Sequence, residues 1–171
     1  LKYTLQIIEV DKIKYCVNTH ITNKIIQESI NNRLIDELKE FSIIKSEKKF
    51  GSNTRFDFYL GNIKKNTKAY LEVKSVSLIR KKGCAEFPDA VTDRGKKHLE
   101  NLILANQQGY ESYLIFLVQV EKCNSFNIAS DIDPLYFKVF NEALKKNVNV
   151  LCYDCKFSRK GINLNNKIKI L

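Results

Sequence analysis

The 171-residue sequence contains no methionine, no tryptophan and only two prolines. It has no apolar run near the roughly 18 residues that a membrane-spanning helix needs, so we expect no membrane partner. Its start lacks the charged, apolar and small-residue pattern of a secretory leader, which predicts a cytoplasmic protein. Because even an initiator methionine is missing, we expect a processed chain or a piece of a longer one.

Cysteine use argues against a disulfide framework. The five cysteines are odd in number and widely scattered, as is typical of a reducing cytosol. Cys152 and Cys155 form a single Cys-x-x-Cys motif, but a structural zinc site needs a second clustered pair. The other cysteines and both histidines stand singly, so the sequence favours small buried thiols over a zinc site.

Negative charge is scarce relative to positive charge. There are 29 Lys and Arg against 19 Asp and Glu, a formal net charge of +10, whereas the 44% hydrophobic content is that of a folded domain. A surface this basic repels itself unless an anionic partner is near, so nucleic acid is the first candidate partner. The alternative is solvated surface charge that reflects a lysine-rich and asparagine-rich proteome.

Hydrophobic periodicity predicts an α/β (α+β) fold with a mixed central sheet flanked by helices. The predicted strands cover residues 3–9, 13–18, 41–44, 48–50, 55–60, 69–76, 113–120, 148–153 and 168–171. The predicted helices cover residues 21–38 with a break at Asn31 and Asn32, residues 92–108 and residues 133–146. We expect a turn at Gly51, Ser52 and Asn53, a loop over residues 61–68 and an irregular segment over residues 80–91.

Two neighbouring strands each place an acid on the face opposite their apolar residues. On the first strand, Arg55 and Asp57 share that face, and on the second Glu72 and Lys74 do, roughly 7 Å apart. The apolar side chains predicted to share the other face of the first strand are Phe56, Phe58 and Leu60. If the strands pair as a hairpin, Asp57 and Glu72 converge.

Two carboxylates that close repel each other and pay a desolvation cost, which a hard cation removes. Mg²⁺ (or Mn²⁺) suits one or two carboxylates together with waters and a phosphate oxygen. Lys74 would then orient or deprotonate the attacking water, or stabilise charge on phosphate. The sequence thus predicts Asp57, Glu72 and Lys74 as catalytic, the two acids being metal ligands. The alternative is a solvated strand face with one surface ion pair.

The spacing Asp…Glu-x-Lys resembles the PD-(D/E)XK pattern of restriction-endonuclease-like folds. Such folds often place an acid on the first helix to support the metal, which here would be Glu28. The alternative for Glu28 is an ordinary exposed glutamate.

Basic residues follow Thr92, the predicted N-cap of the helix 92–108. The predicted nucleic-acid-binding residues are Arg55, Thr92, Arg94, Lys96, Lys97 and His98. Helix N-termini and guanidinium groups bind phosphate well, and Thr92 would cap the helix, donate to a phosphate, or do both. No recognition-helix signature is visible, so we expect DNA binding without strong sequence specificity. The alternative is a basic, solvated helix face.

Longer segments closely resemble the sugar fermentation stimulation protein (SfsA) family, and the resemblance covers nearly the whole chain. The matching segments are residues 53–58, 71–76, 87–99, 116–119, 131–134 and 150–153. Val91 stands where the family usually has proline, and Asp93 where it usually has glutamate. Neither residue belongs to the predicted catalytic set.

The resemblance implies a bacterial or archaeal cytoplasmic DNA-binding protein whose nuclease-like domain follows a small OB-like barrel. Residues 1–19 would be the last strands of that barrel and residues 20–171 the nuclease-like domain. Two functions stay open: a Mg²⁺-dependent DNA phosphodiesterase, or a catalytically silent, nonspecific DNA-binding transcription regulator of sugar (maltose) metabolism. An interaction module that is basic only through genome bias is the third reading. The oligomeric state is also open.

Overall fold

Strands dominate the chain in a computed structural model that describes residues 3–51, 54–159 and 161–171. In these residues the strands are β1 (Ile7–Val10), β2 (Ile13–Cys16), β3 (Ile43–Phe50), β4 (Thr54–Asn62), β5 (Thr67–Val76), β6 (Leu78–Lys81), β7 (Cys84–Phe87), β8 (Glu111–Val118), β9 (Ser125–Ile128), β10 (Asn149–Ser158), β11 (Gly161–Lys167) and β12 (Lys169–Ile170). The α-helices are α1 (Thr22–Asn31), α2 (Asp93–Gln107) and α3 (Pro134–Lys145), and short 3₁₀ turns cover Thr19–Ile21 and Asp36–Leu38.

The central sheet has six strands in the order β11-β10-β8-β5-β4-β3. Strands β5, β8 and β10 run parallel, whereas β3, β4 and β11 pair antiparallel with their neighbours. The parallel neighbours are joined by crossovers that contain α2 and α3. These two helices cover one face of the sheet and α1 covers the other. The predicted mixed sheet flanked by helices is confirmed.

Strand β8 lies at the centre of this sheet, and its apolar run is explained by burial on both faces. Leu114 and Phe116 belong to the core cluster that contains the inward residues of α2 and α3. Ile115 and Leu117 belong to the cluster that contains those of α1. The fold therefore has one core on each side of the sheet.

A second, four-stranded sheet has the order β12-β9-β7-β6 and contains a segment that the sequence analysis expected to be irregular. The prediction for residues 80–91 is wrong where β6 ends and β7 lies, because the two strands form a hairpin around Gly83, whose φ is +80°. Loop 61–68 is also shorter than predicted, since β4 reaches Asn62 and β5 begins at Thr67. Of the predicted turn at residues 51–53, Ser52 and Asn53 lie outside the described residues.

All three predicted helix starts and the predicted helix break are close to those observed. Thr92 caps α2 by accepting from the Gly95 N–H at 2.9 Å, and Asp133 caps α3 by accepting from the Tyr136 N–H at 2.8 Å. Helix α1 ends at Asn31, the position of the predicted break. The five cysteines are free and buried, in agreement with the thiol prediction.

Gly95 lies in the first turn of α2, where a larger residue would not fit. A Cβ there would lie 2.8 Å from Thr92 Cγ2 and Oγ1 and 3.2 Å from the Tyr136 ring. We expect Gly95→Ala to lower the free energy of unfolding by about 2–4 kcal/mol, through overpacking and a weakened cap. Urea denaturation measures this loss. The control Gly61→Ala, whose Cβ would meet nothing closer than 3.4 Å, is expected to change stability by less than about 1 kcal/mol.

Candidate functional site

The candidate site lies where β4 and β5 separate. Their ladder ends at the pair Phe58–Leu71, and the next register position places Asp57 opposite Glu72. There the Asp57 carboxylate takes the place of a ladder acceptor, because its Oδ2 accepts from the Val73 N–H at 2.8 Å. The structure therefore brings the two acids together, as the hairpin hypothesis requires.

The side-chain alternation of β4 breaks at Asp57. Phe56 packs against Tyr70, with ring centroids 5.0 Å apart, in the cluster under α2 and α3. Phe58 lies in the cluster under α1 on the opposite face, so the predicted shared face of the apolar residues is wrong at Phe56. Across the ladder, Glu47 has a φ of +55°, and both strands are distorted at this level.

Glu72 is 3% exposed and its two carboxylate oxygens are used unequally. Oε1 accepts from Lys74 Nζ at 2.8 Å and also contacts His98 Nδ1. Lys74 Nζ lies 3.2 Å from the same ring nitrogen. Oε2 is buried and has no hydrogen-bond partner among the described residues. One oxygen is crowded by two nitrogens while the other is left for a ligand that the protein itself does not supply.

The two acids differ in proton affinity. Burial and the nearby charge of Glu72 raise the pKa of Asp57 to about 6, although hydrogen bonds from the Val73 N–H and the Asn23 amide oppose the rise. Burial also acts to raise the pKa of Glu72, but the His98 and Lys74 contacts outweigh it and lower that pKa. The pair therefore holds mutual repulsion that a cation between the carboxylates would relieve.

A polar cleft of about 290 Å³ opens over these acids. Its lining residues are Thr19, His20, Thr22, Asn23, Asp57, Glu72, Val73, Lys74, Ser75, Arg94 and His98. One wall is the start of α1 and the turn before it, and the other is the first part of α2. Asn23 on the α1 wall donates from Nδ2 to Asp57 Oδ1 at 2.8 Å, which fixes the carboxylate in the cleft.

Of the basic residues predicted on α2, Arg94 and His98 line the cleft. They are four residues apart and share one helix face. Lys96 instead pairs with Asp93 at 2.7 Å, and Lys97 lines a separate groove beside Asn101. The sequence run alone does not distinguish these two pairs, because each residue rotates the helix face by about 100°.

Three further predicted residues lie outside the lining of the cleft. Arg55 is exposed and paired with Glu47 at 3.4 Å, and Thr92 serves as the α2 cap. Glu28 is exposed on α1 and borders a groove toward β11, so the structure does not bring it to the acids. Asn23 faces Asp57, and Glu28, five residues later, points about 140° away from it around the helix. No group of three or more His, Cys, Asp or Glu suited to a metal ion occurs within the described ranges.

The sequence analysis missed Asn23, Ser75 and the backbone N–H of Val73 as parts of the cleft. Asn23 and its partner Asp57 are 34 positions apart, and no periodic pattern links them. Ser75 directly follows Lys74, but strand alternation assigns it to the opposite face of β5. It lines the cleft because the opening between β4 and β5 is reached from both faces of the sheet.

The raised pKa of Asp57 predicts a pH-dependent loss of stability in the metal-free protein. The folded state binds this proton more tightly than the unfolded state, in which the pKa is near 3.8. Stability therefore falls as the pH rises from about 4 to about 6, by up to roughly 3 kcal/mol, and stays lower above that range. The measurement is the difference in Tm between the wild type and Asp57→Asn from pH 4 to pH 7, in chelator. A pH-independent difference would contradict the assignment.

A mixed sheet covered by helices on both faces, with a hairpin that opens over two carboxylates and a lysine, defines a restriction-endonuclease-like fold. The model of the sugar fermentation stimulation protein RE domain matches residues 20–161. The chain belongs to this family.

Relatives and a solved structure agree with this assignment. The chain is 48% identical over its whole length to a sugar fermentation stimulation protein homolog of Pelagibacter ubique, covering 73% of that protein. It is 40% identical to the Bartonella tribocorum homolog over 98% of the chain and 70% of that protein. The structure of Pyrococcus furiosus SfsA in complex with Ca²⁺ is similar with a TM-score of 0.88 at 24% identity, over 98% of this chain and 71% of that one.

The matched range begins at residue 20, where the sequence analysis placed the start of the nuclease-like domain. Before it, β1 and β2 form a hairpin, and the assignment of residues 1–19 to an OB-like barrel stays a prediction, with Leu1 and Lys2 outside the described residues. In the part of the chain that the structure describes, no helix is long and apolar enough to cross a membrane.

Proposed function

We propose that the protein is a cytoplasmic DNA-binding phosphodiesterase that uses a divalent cation, Mg²⁺ or Mn²⁺, held by Asp57 and Glu72. The observation that carries this proposal is the convergence of the two acids at the opening of β4 and β5, with Glu72 Oε2 buried and unpartnered among the described residues. The Ca²⁺ in the similar Pyrococcus furiosus structure supports a divalent cation in this fold.

The donor set fits a hard cation. Mg²⁺ prefers oxygen ligands and is commonly held by one or two carboxylates plus waters and a substrate phosphate. Asp57 accepts two hydrogen bonds and Glu72 Oε2 accepts none within the described chain, so both retain lone pairs for a metal. When bound, the cation would polarise the phosphodiester and make a bound water more acidic.

The surrounding side chains have roles that follow from their contacts. Asn23 and the Val73 N–H orient Asp57, and His98 holds Glu72 Oε1. Such supporting hydrogen bonds typically tune a metal site strongly. Lys74 Nζ brings positive charge to the acids, where it can stabilise charge that develops on phosphate. Arg94 lies at the cleft as a bidentate partner for phosphate, and the net charge of +10 favours DNA as the substrate.

A catalytically silent DNA-binding regulator is the second candidate. It is favoured by the engagement of Lys74 Nζ with both Glu72 and His98, which removes the lysine from the open side of the cleft. A regulator of sugar metabolism would also agree with the name of the family. Such a protein would bind DNA with an affinity that falls steeply with salt and would not cut it.

Lys74→Ala separates the two functions. We expect it to lower the rate of plasmid cleavage in Mg²⁺ or Mn²⁺ by at least about 100-fold, because it removes the cation beside the reacting phosphate. The control is Lys68→Ala, which changes an exposed lysine on the same strand. Equal cleavage by the wild type and both variants would indicate a contaminating nuclease and contradict the proposal. Tight DNA binding without cleavage by the wild type would favour the regulator.

A further inference from the structure

Gln119 is a fully buried polar residue directly after β8, next to the cleft. Its backbone is fixed on two sides, because its N–H donates to the Val76 carbonyl at 2.8 Å and its carbonyl accepts from the Cys16 N–H at 2.9 Å. A polar side chain buried this completely is costly unless it is hydrogen-bonded. The arrangement therefore requires partners for the Gln119 amide.

Two hydroxyl groups that line the cleft face one end of that amide. Ser75 Oγ lies 2.5 Å and Thr22 Oγ1 lies 3.3 Å from the atom placed as Gln119 Oε1. The atom placed as Nε2 is buried and has no partner among the described residues. One end of the amide thus has two partners and the other end has none.

The number of hydrogens decides which end of the amide faces the hydroxyls. Thr22 has one hydroxyl hydrogen and donates it to the Thr19 carbonyl at 2.7 Å, so its oxygen can only accept from Gln119. The two ends of a side-chain amide have the same shape, and the hydrogen-bond network assigns them. With Nε2 toward the hydroxyls, its two hydrogens satisfy Thr22 and Ser75 together. The reverse orientation makes one bond and leaves both amide hydrogens buried without acceptors.

This assignment changes what Ser75 offers to the cleft. If Ser75 Oγ accepts from Gln119, its own hydrogen is free to point toward a ligand. Ser75 is half-buried and lines the cleft directly after Lys74, from the opposite face of β5. The two residues can therefore approach one anionic group from both sides of the strand.

We propose that the Ser75 hydroxyl is a hydrogen-bond donor to a non-bridging phosphate oxygen of bound DNA, and that Gln119 is the positioning residue that keeps it a donor. This inference rests on the proposed function, because it takes the phosphodiester of DNA as the ligand of the cleft. It adds a neutral contact on the α1 wall to the cationic contacts on the α2 wall.

The test is the binding of a fluorescein-labelled DNA duplex in Ca²⁺, with cleavage in Mg²⁺ and Mn²⁺ affinity measured on the same proteins. Ser75→Ala is expected to raise the Kd for the duplex roughly 5- to 10-fold, the size of one hydrogen bond to a charged group. The matched control, Ser77→Ala, changes an exposed serine two residues further along and is expected to bind as the wild type does. Ser75→Thr retains the hydroxyl and is expected to restore most of the binding.

Gln119→Glu tests the positioning role without removing the serine. A carboxylate can only accept, so it would take the Ser75 hydrogen away from the cleft, and we expect the same rise in Kd as for Ser75→Ala. Combining the two substitutions is expected to add little further loss. If Gln119→Glu does not fold, which its Tm will show, the Ser75 variants still decide the central claim.

The outcomes separate this inference from the proposed function. Duplex binding and cleavage by Ser75→Ala equal to those of the wild type overturn the inference alone. A loss of duplex binding that comes with an equal loss of Mn²⁺ affinity also overturns it, since Ser75 would then be only structural. Failure of the wild type to bind the duplex overturns the proposed function and the inference with it.

Discussion

Asp57→Asn is expected to weaken Mn²⁺ binding by at least about 100-fold and to abolish cleavage of DNA. The substitution keeps the size of the side chain but removes a charge and one of two oxygens from a site with two acids. Loss of a partner behind a metal ligand alone costs about 10- to 100-fold in affinity, so loss of a ligand should cost at least as much. Isothermal titration calorimetry with Mn²⁺ measures the first effect, and a plasmid assay measures the second.

The same substitution also acts on the metal-free protein, and the two effects must be kept apart. Asparagine ends the repulsion with Glu72, but it has a single oxygen for the two donors that Asp57 accepts, the Val73 N–H and the Asn23 amide. These effects oppose each other, so the Tm is expected to change less than the metal affinity does. A folded Asp57→Asn protein that does not bind Mn²⁺ therefore reports on the metal site.

Asp89→Asn is the control, because Asp89 is exposed and does not line the cleft. It is expected to bind Mn²⁺ and to cut DNA as the wild type does. If Asp57→Asn binds Mn²⁺ with unchanged affinity, the cation lies elsewhere and the proposed chemistry is wrong. If both variants lose affinity, the Mn²⁺ binding reports on overall negative charge rather than on the cleft.

The elements that could be predicted from the sequence carry strong local signals. Strand β8 is a continuous apolar run, and α2 and α3 begin at the cap residues Thr92 and Asp133. The segments that were missed have weak or mixed patterns. Strand β11 is a polar edge strand of seven residues, and β6 and β7 are short strands whose hairpin is rich in lysine. Tertiary pairing rather than local preference makes these segments strands.

The candidate site could be predicted to the extent that neighbouring strands determine it. Asp57, Glu72 and Lys74 were found because two consecutive strands pair with a short connection. Asn23 and Gln119 could not be found in this way, because their contacts join α1, β5 and β8 across long stretches of chain. The hydrogen bonds that orient such residues are a property of the folded chain and leave no periodic signal.

Asp133→Ala is expected to cause the largest loss of stability, about 3–5 kcal/mol. The carboxylate is 1% exposed and accepts from two backbone N–H groups, those of Thr92 at 2.9 Å and Tyr136 at 2.8 Å. Burial acts to raise the pKa of Asp133, but these two hydrogen bonds outweigh it and lower the pKa. Hydrogen bonds to a charged group contribute about 1.5–3 kcal/mol each, and alanine would leave both donors without their acceptor.

The expected loss corresponds to a fall in Tm of roughly 10 °C for a chain of this size. Asp131→Ala is the control two residues earlier, because Asp131 is exposed and its pair with Arg80 is a surface ion pair worth about 0–1 kcal/mol. A Tm for Asp133→Ala near that of the control would mean that the two helix starts are held by other contacts. Since Asp133 holds Thr92, the residue that caps α2, its loss should also displace Arg94 and His98. DNA binding should then fall below the level that the fraction of folded protein explains.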